Sequence, residues 1–233
     1  MENHLKYVVI GIAFLTLSFE SLGQSAKEIL VKLNKTYHNQ SYQMDYNVSS
    51  INTSQKKSIA KYSGSVAKDG DQFYLNTTGD LTIINNDHYM FINKSEKKIY
   101  FNDIPNNKER KNNSMDILGS LDSLIEVSGA KLVNNKNDVY TISIKLALDD
   151  TYSEILLKIN KSYELIGCVY LFKDESYPFD KISIAYTNIR IGKRMDKHIF
   201  STKSIVKVKN KKILPVGLYT SYTVIDNRNI ITQ

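Results

Sequence analysis

The chain has 233 residues, 42% hydrophobic and 24% charged, with a formal net charge of +7. That composition and length suit a globular chain with one core, or two small ones, that needs no covalent staples, and the lone Cys168 excludes an internal disulfide. Lysines interspersed with acidic residues, without an arginine cluster or regularly spaced stacking aromatics, argue against nucleic acid; the densest block, Lys207, Lys209, Lys211 and Lys212, leaves attraction to anionic headgroups open.

Residues 1–23 read as a secretion signal. Lys6 precedes an apolar stretch from Tyr7 to Phe19, and Ser21-Leu22-Gly23 places small residues before a cut at Gln24. The stretch is too short for a permanent span, which needs roughly 20 residues. Glu20 fits the pattern poorly, and a retained anchor is the alternative. No cysteine stands near Gly23, so the reading excludes lipidation there. The expectation is a periplasmic protein, cleaved near Gly23, with residues 24–233 forming a single, monomeric β-rich domain.

Residues 25–38 read as a helix: Ser25 and Glu28 form a capping box, and Ile29, Leu30, Leu33 and Tyr37 recur at helical spacing. After Asn39 the period changes to two. Tyr42, Met44, Tyr46 and Val48 alternate with polar residues, as do Ala60, Tyr62, Gly64 and Val66. Asp69-Gly70, Gly79-Asp80, Asn85–Asp87 and Lys94–Glu96 are turns between short strands at Phe73–Leu75, Leu81–Ile84, Tyr89–Ile92 and Ile99–Phe101, an antiparallel meander. Residues 102–114 read as a loop. Residues 115–126 read as a second helix, with Met115, Leu118, Leu121, Leu124 and Ile125 on one stripe and Gly119 weakening it. A second meander follows at Tyr140–Leu146, Ile155–Ile159, Leu165–Phe172 and Ile182–Tyr186. Ile205–Val208 and Leu218–Val224 are strand-like. The fold class expected is α+β, mostly antiparallel β. One strongly curved sheet, or an incomplete barrel, carries the N-terminal helix, with the second helix on or in its concave face.

Nothing in the spacing assembles catalytic machinery. His38, His88 and His198 are far apart, no nucleophile elbow or phosphate loop occurs, and Asp87-His88 reads as a turn. The chain is therefore read as a non-enzyme with no cofactor and no metal. Cys168, inside the apolar run from Leu165 to Phe172, reads as buried and inert.

The 16 tyrosines and 8 phenylalanines, with no tryptophan, stand out. Many fall on the inward faces of strands. Either they fill an ordinary core or they line a cavity suited to an acyl chain or another apolar guest.

The order of elements, with Gly64-Ser65-Val66-Ala67-Lys68, Phe73-Tyr74-Leu75, Asn86–Ile92 and Lys98-Ile99-Tyr100-Phe101, resembles the periplasmic lipoprotein-carrier family (LolA-like, with its LolB and RseB relatives) over residues 25–190. The resemblance implies an incomplete antiparallel barrel closed by helices around a hydrophobic cavity. It also implies a role in carrying or binding lipoproteins or other acylated, lipid-like ligands. The chain departs from the family where Tyr74 stands in place of the functional arginine and where the family's tryptophans are missing. On this reading Tyr46, Val48, Tyr62, Val66, Phe73, Leu75, Phe91, Leu157 and Val169 face the guest, and Leu118 and Leu121 belong to a lid. The alternative is a cell-envelope module with a packed interior that binds a protein partner through the lysines near 203–212.

Overall fold

A computed structural model describes residues 24–53, 57–104, 129–146, 151–174, 176–193 and 195–228, together with Leu118 and Asp149. The signal reading at 1–23, Leu121 and the rest of the helix expected over 115–126 lie outside the described residues.

The chain enters through helix α1 (Ala26–Tyr37). The Ser25 hydroxyl accepts from the Glu28 N–H at 3.2 Å and the Glu28 carboxylate accepts from the Ser25 N–H at 3.1 Å, satisfying two donors that the first turn leaves free. Ala26, Ile29, Leu30, Leu33 and Tyr37 form its buried stripe.

Two meanders follow. The first is β1 (Tyr42–Asn52), β2 (Lys57–Asp69), β3 (Gln72–Thr77), β4 (Asp80–Ile84), β5 (Tyr89–Asn93) and β6 (Lys98–Asn102). The second is β7 (Lys131–Lys136), β8 (Val139–Lys145), β9 (Tyr152–Asn160), β10 (Leu165–Phe172) and β11 (Lys181–Ile191). The pair β1 and β11 joins them, so these strands, with β14 (Thr223–Asp226), make one open sheet in the order β14-β6-β5-β4-β3-β2-β1-β11-β10-β9-β8-β7. Its neighbours are antiparallel except at one edge. There β14 (Thr223–Asp226) returns from the C-terminal segment and runs parallel to β6. Between these, β12 (Val206–Lys209) and β13 (Lys212–Pro215) form a separate hairpin whose turn residues Asn210 and Lys211 both take positive φ.

The sheet carries a core on each face. On the first face, α1 covers Tyr42 and Met44 of β1, Tyr140, Ile142 and Ile144 of β8, Ile155, Leu157 and Ile159 of β9, and Leu165 and Cys168 of β10. On the opposite face, Ile205, Val206 and Ile213 of the C-terminal segment cover Leu81 and Ile83 of β4, Met90 and Ile92 of β5, and Ile99 and Phe101 of β6. Alternation along a strand makes this division available, because successive side chains leave on opposite sides.

Sequence and structure part ways in two places. The polar stretch Lys131–Lys136 is an edge strand, held by its ladder to β8 and by Leu132, which packs against the first core. Leu218–Val224 is not one strand: Gly217–Tyr219 is a 3-10 turn, and only from Thr223 does the chain pair with β6. Among the described residues the sheet does not close, and of the two forms expected it takes the strongly curved open sheet.

The inner stripe of α1 holds the first core together. Leu33→Ala, at a site with no solvent exposure, is expected to cost about 2–5 kcal/mol, and Ser25→Ala about 1 kcal/mol. Urea unfolding midpoints of the two variants measure both.

Candidate functional site

The helix leaves part of the first face uncovered. Beyond Tyr42 and Met44, the same side of β1 continues into Tyr46 and Val48, and here a cavity of about 280 Å³ opens. It is lined by Tyr46 and Val48 of β1, Tyr62 and Val66 of β2, and Leu75 and Thr77 of β3. Across from them stand Ile182, Ile184 and Tyr186 of β11, Tyr170 of β10 and Tyr152 of β9. No charged residue is among them. The volume lies near the lower end of small-molecule pockets, about 300–1,000 Å³.

The lining shows how strongly the sheet bends. Leu75 on β3 and Tyr152 on β9 are five strand spacings apart, about 24 Å on a flat sheet. Both nonetheless border one small cavity, so the strands curl around it. Gly64 and Tyr46 help to set this curvature. Gly64 faces Tyr46 across the β1–β2 ladder, and a Cβ there would collide with the Tyr46 ring and the Asn76 carbonyl. The missing side chain lets the Tyr46 ring lie across β2 and donate its hydroxyl to the Asn76 carbonyl at 3.2 Å.

Burial disfavours ionisation of the Tyr46, Tyr152, Tyr170 and Tyr186 hydroxyls in this wall. Burial pushes Tyr46 up to about 12. Burial likewise raises Tyr170 and Tyr186, aided by the neighbouring Cys168. The Cys168 thiol lies 4.0 Å from the Tyr186 hydroxyl, and burial pushes it up to about 12, so it is no nucleophile. The rim is aromatic. Tyr152 packs against Tyr170 and Phe172 with ring centroids 5.1 and 4.9 Å apart, and Phe172 meets Tyr177 and Phe179 at 4.6 and 5.1 Å. The arrangement can desolvate an apolar chain and offer hydroxyls to a polar end. Among the described residues no three His, Cys, Asp or Glu side chains gather as metal ligands.

The structure brings Tyr46, Val48, Tyr62, Val66 and Leu75 to the cavity wall. Phe73 is buried on the same side of β3, and Phe91 lies further along that face of the sheet, beside Tyr100 at 5.9 Å. Leu157 is fully buried under α1 in the adjoining core. Val169 leaves the opposite side of β10 from Cys168 and Tyr170, away from the cavity. Leu118 packs against the first core. Tyr74 faces away as well, onto the C-terminal segment beside Tyr219 and Tyr222. Sequence reasoning did not single out Tyr152, Tyr170, Ile182, Ile184 and Tyr186. Alternation placed Ile182, Ile184 and Tyr186 on one side of their strand, but only the β1–β11 pairing brings that side to the cavity.

No protein-family model matches the chain, and no curated protein is similar to it in sequence. Among solved structures it is similar to an uncharacterized conserved protein from Thermus thermophilus, at 9% identity over 86% of this chain and 98% of that one, with a TM-score of 0.48. It is also similar to a LolA superfamily protein from Nitrosomonas europaea, at 12% identity over 78% and 99%, TM-score 0.36. LprF from Mycobacterium bovis is similar at 13% identity over 73% and 94%, TM-score 0.39.

Two outcomes are expected. Gly64→Ala displaces the Tyr46 ring, breaks its bond to Asn76 and destabilises the fold by about 1–3 kcal/mol, read from urea midpoints. The second concerns alkaline pH. Below about pH 10, the ordinary tyrosine value, Tyr46 is neutral in both folded and unfolded chains. From there to about 12 the unfolded chain has lost the proton and the folded one keeps it, so stability falls as pH rises through this window. Chemical denaturation at stepped pH should show that fall, and Tyr46→Phe should make it shallower.

Proposed function

We propose that this is an exported, non-catalytic binder of acyl chains or similar apolar groups, borne by a lipid or an acylated protein, and that it carries or holds them in the periplasm. The observation that carries this reading is the uncharged, tyrosine-walled cavity that α1 leaves open on the inner face of the curled sheet. Burial drives such binding, at about 0.8 kcal/mol per methylene removed from water. The tyrosine walls suit a long flexible guest: large rigid rings give apolar contact, and hydroxyls are at hand for the ester or amide at its head.

Phe73 and Phe91 extend the same apolar face along β3 and β5 and would contact a longer chain, while the segment around Leu118 and Leu121 would act as its cover. The reading of residues 1–23 as a signal supplies the compartment. The placement of Asp87-His88 fits an absence of chemistry there, since the Asn85 side chain accepts from both backbone N–H groups in an ordinary turn.

Native mass spectrometry of protein purified without detergent tests the proposal. A co-purifying lipid or acyl adduct is expected. Val66→Trp, which fills the cavity from β2, should remove that adduct and lower the affinity for a fluorescent fatty acid by tenfold or more while the circular dichroism spectrum stays unchanged. An empty wild-type protein that also fails to take up the fatty acid would sink the idea.

A further inference from the structure

A second surface lies on the opposite face of the sheet. From Lys197 to Ile225 the chain carries six lysines, Lys197, Lys203, Lys207, Lys209, Lys211 and Lys212, and neither Asp nor Glu. Nearly the whole formal charge of +7 therefore sits on one segment. Its inward side is apolar: Phe200, Ile205, Val206 and Ile213 are buried. The lysines stand outward and exposed. Among the described residues none of the six takes part in an ion pair.

Lys197, Lys203 and Lys207 border one open depression of about 520 Å³, between the segment and the β4–β5 turn, with Asp87 as its single acid. His88 also borders it, and its Nδ1 is buried with no hydrogen-bond partner. Two large apolar residues stand out of the same segment. Val208 is 57% exposed and Leu218 is 92% exposed. The turn bearing Leu218 is tied to the Lys203–Ile205 turn, since the Val216 N–H donates to the Ile205 carbonyl at 2.8 Å. A Cβ placed on Gly217 would stand 3.0 Å from the Ser204 carbonyl, so the turn that bears the exposed Leu218 adjoins the one that bears Lys203.

We infer that this C-terminal cap docks on the surface of an anionic phospholipid bilayer. The lysines meet headgroup phosphates, with the depression between Lys197, Lys203 and Lys207 receiving one of them, and Leu218 enters the acyl boundary. Cationic residues around a protruding apolar one match the chemistry of that interface, where negative potential and a greasy interior lie a few ångströms apart. An acidic protein would also attract the lysines. It would, however, need a pocket shaped for a lone leucine on a one-turn loop, whereas lipid accepts the side chain without any fixed shape. The surface is independent of the cavity, which opens on the other face.

Vesicle co-sedimentation of the full chain tests this, with phosphatidylcholine vesicles compared with vesicles that also contain phosphatidylglycerol. Binding to the anionic vesicles is expected, and about 1 M salt, where the screening length is roughly 3 Å, should release it. The combined variant Lys203→Glu, Lys207→Glu, Lys209→Glu should weaken binding by roughly fivefold or more for each lysine changed. Leu218→Asp should weaken it several-fold with all lysines in place. Both variants change exposed side chains, so unchanged thermal melts show that they are folded. Because every variant retains residues 7–19, any affinity of that apolar stretch cancels in the comparison. Equal binding of variants and wild type, equal binding to both vesicle types, or capture by polyglutamate without vesicle binding overturns the inference. Fatty-acid uptake by the same variants should be unchanged, which separates this surface from the cavity.

Discussion

The organisation of this protein rests on the two-residue alternation of one long sheet. Every strand offers two faces, and the chain has too few helical elements among the described residues to cover both along the whole width. It covers them in halves. Helix α1 seals one face over β8–β10 and the end of β1, and the C-terminal segment seals the other over β4–β6. In the middle, on β1, β2 and β11, neither α1 nor the C-terminal segment covers the sheet, and one side is apolar and the other polar. Asp45, Asn47, Ser63 and Ser65 stand on the polar side, where the Asp45 carboxylate accepts from the Asn188 side chain at 2.7 Å. On the apolar side the sheet bends around itself instead, and the cavity is what remains between the bent walls.

That bend needs side chains of particular shape. Gly64 removes a side chain where the Tyr46 ring must cross, and the hydroxyl of that ring reaches the backbone of a third strand. Three adjacent strands are thereby linked by one residue. Tyrosine suits the task because it buries a wide ring while its hydroxyl still finds a partner. The pKa shifts follow: Tyr46, Tyr170, Tyr186 and Cys168 are all pushed upward, because a charge in this space would have neither water nor a counter-ion.

Covering opposite faces at opposite ends also separates two kinds of surface. The uncharged cavity and the lysine-bearing cap share no lining residue. The cap keeps its position through Ile205, Val206 and Ile213 and through the parallel pairing of β14 with β6. A charge change on its outer side therefore leaves the sheet beneath it intact.

The amphipathic helix with its capping box, most of the strands of both meanders, their turns and the inertness of Cys168 were legible in the chain alone, because each depends on neighbours in sequence: spacing, caps and turn residues. The side of the strand on which Tyr46, Val48, Tyr62, Val66 and Leu75 lie was legible for the same reason. Which face of the sheet each half buries was not, nor that Val169 and Tyr74 turn away from the cavity while Tyr152 and Tyr170 turn toward it. Alternation assigns a residue to a side without saying which side becomes the inside. That choice is made by contacts more than a hundred residues apart in the chain, between β1 and β11 and between the C-terminal segment and β4–β6. Only the folded sheet brings those partners together.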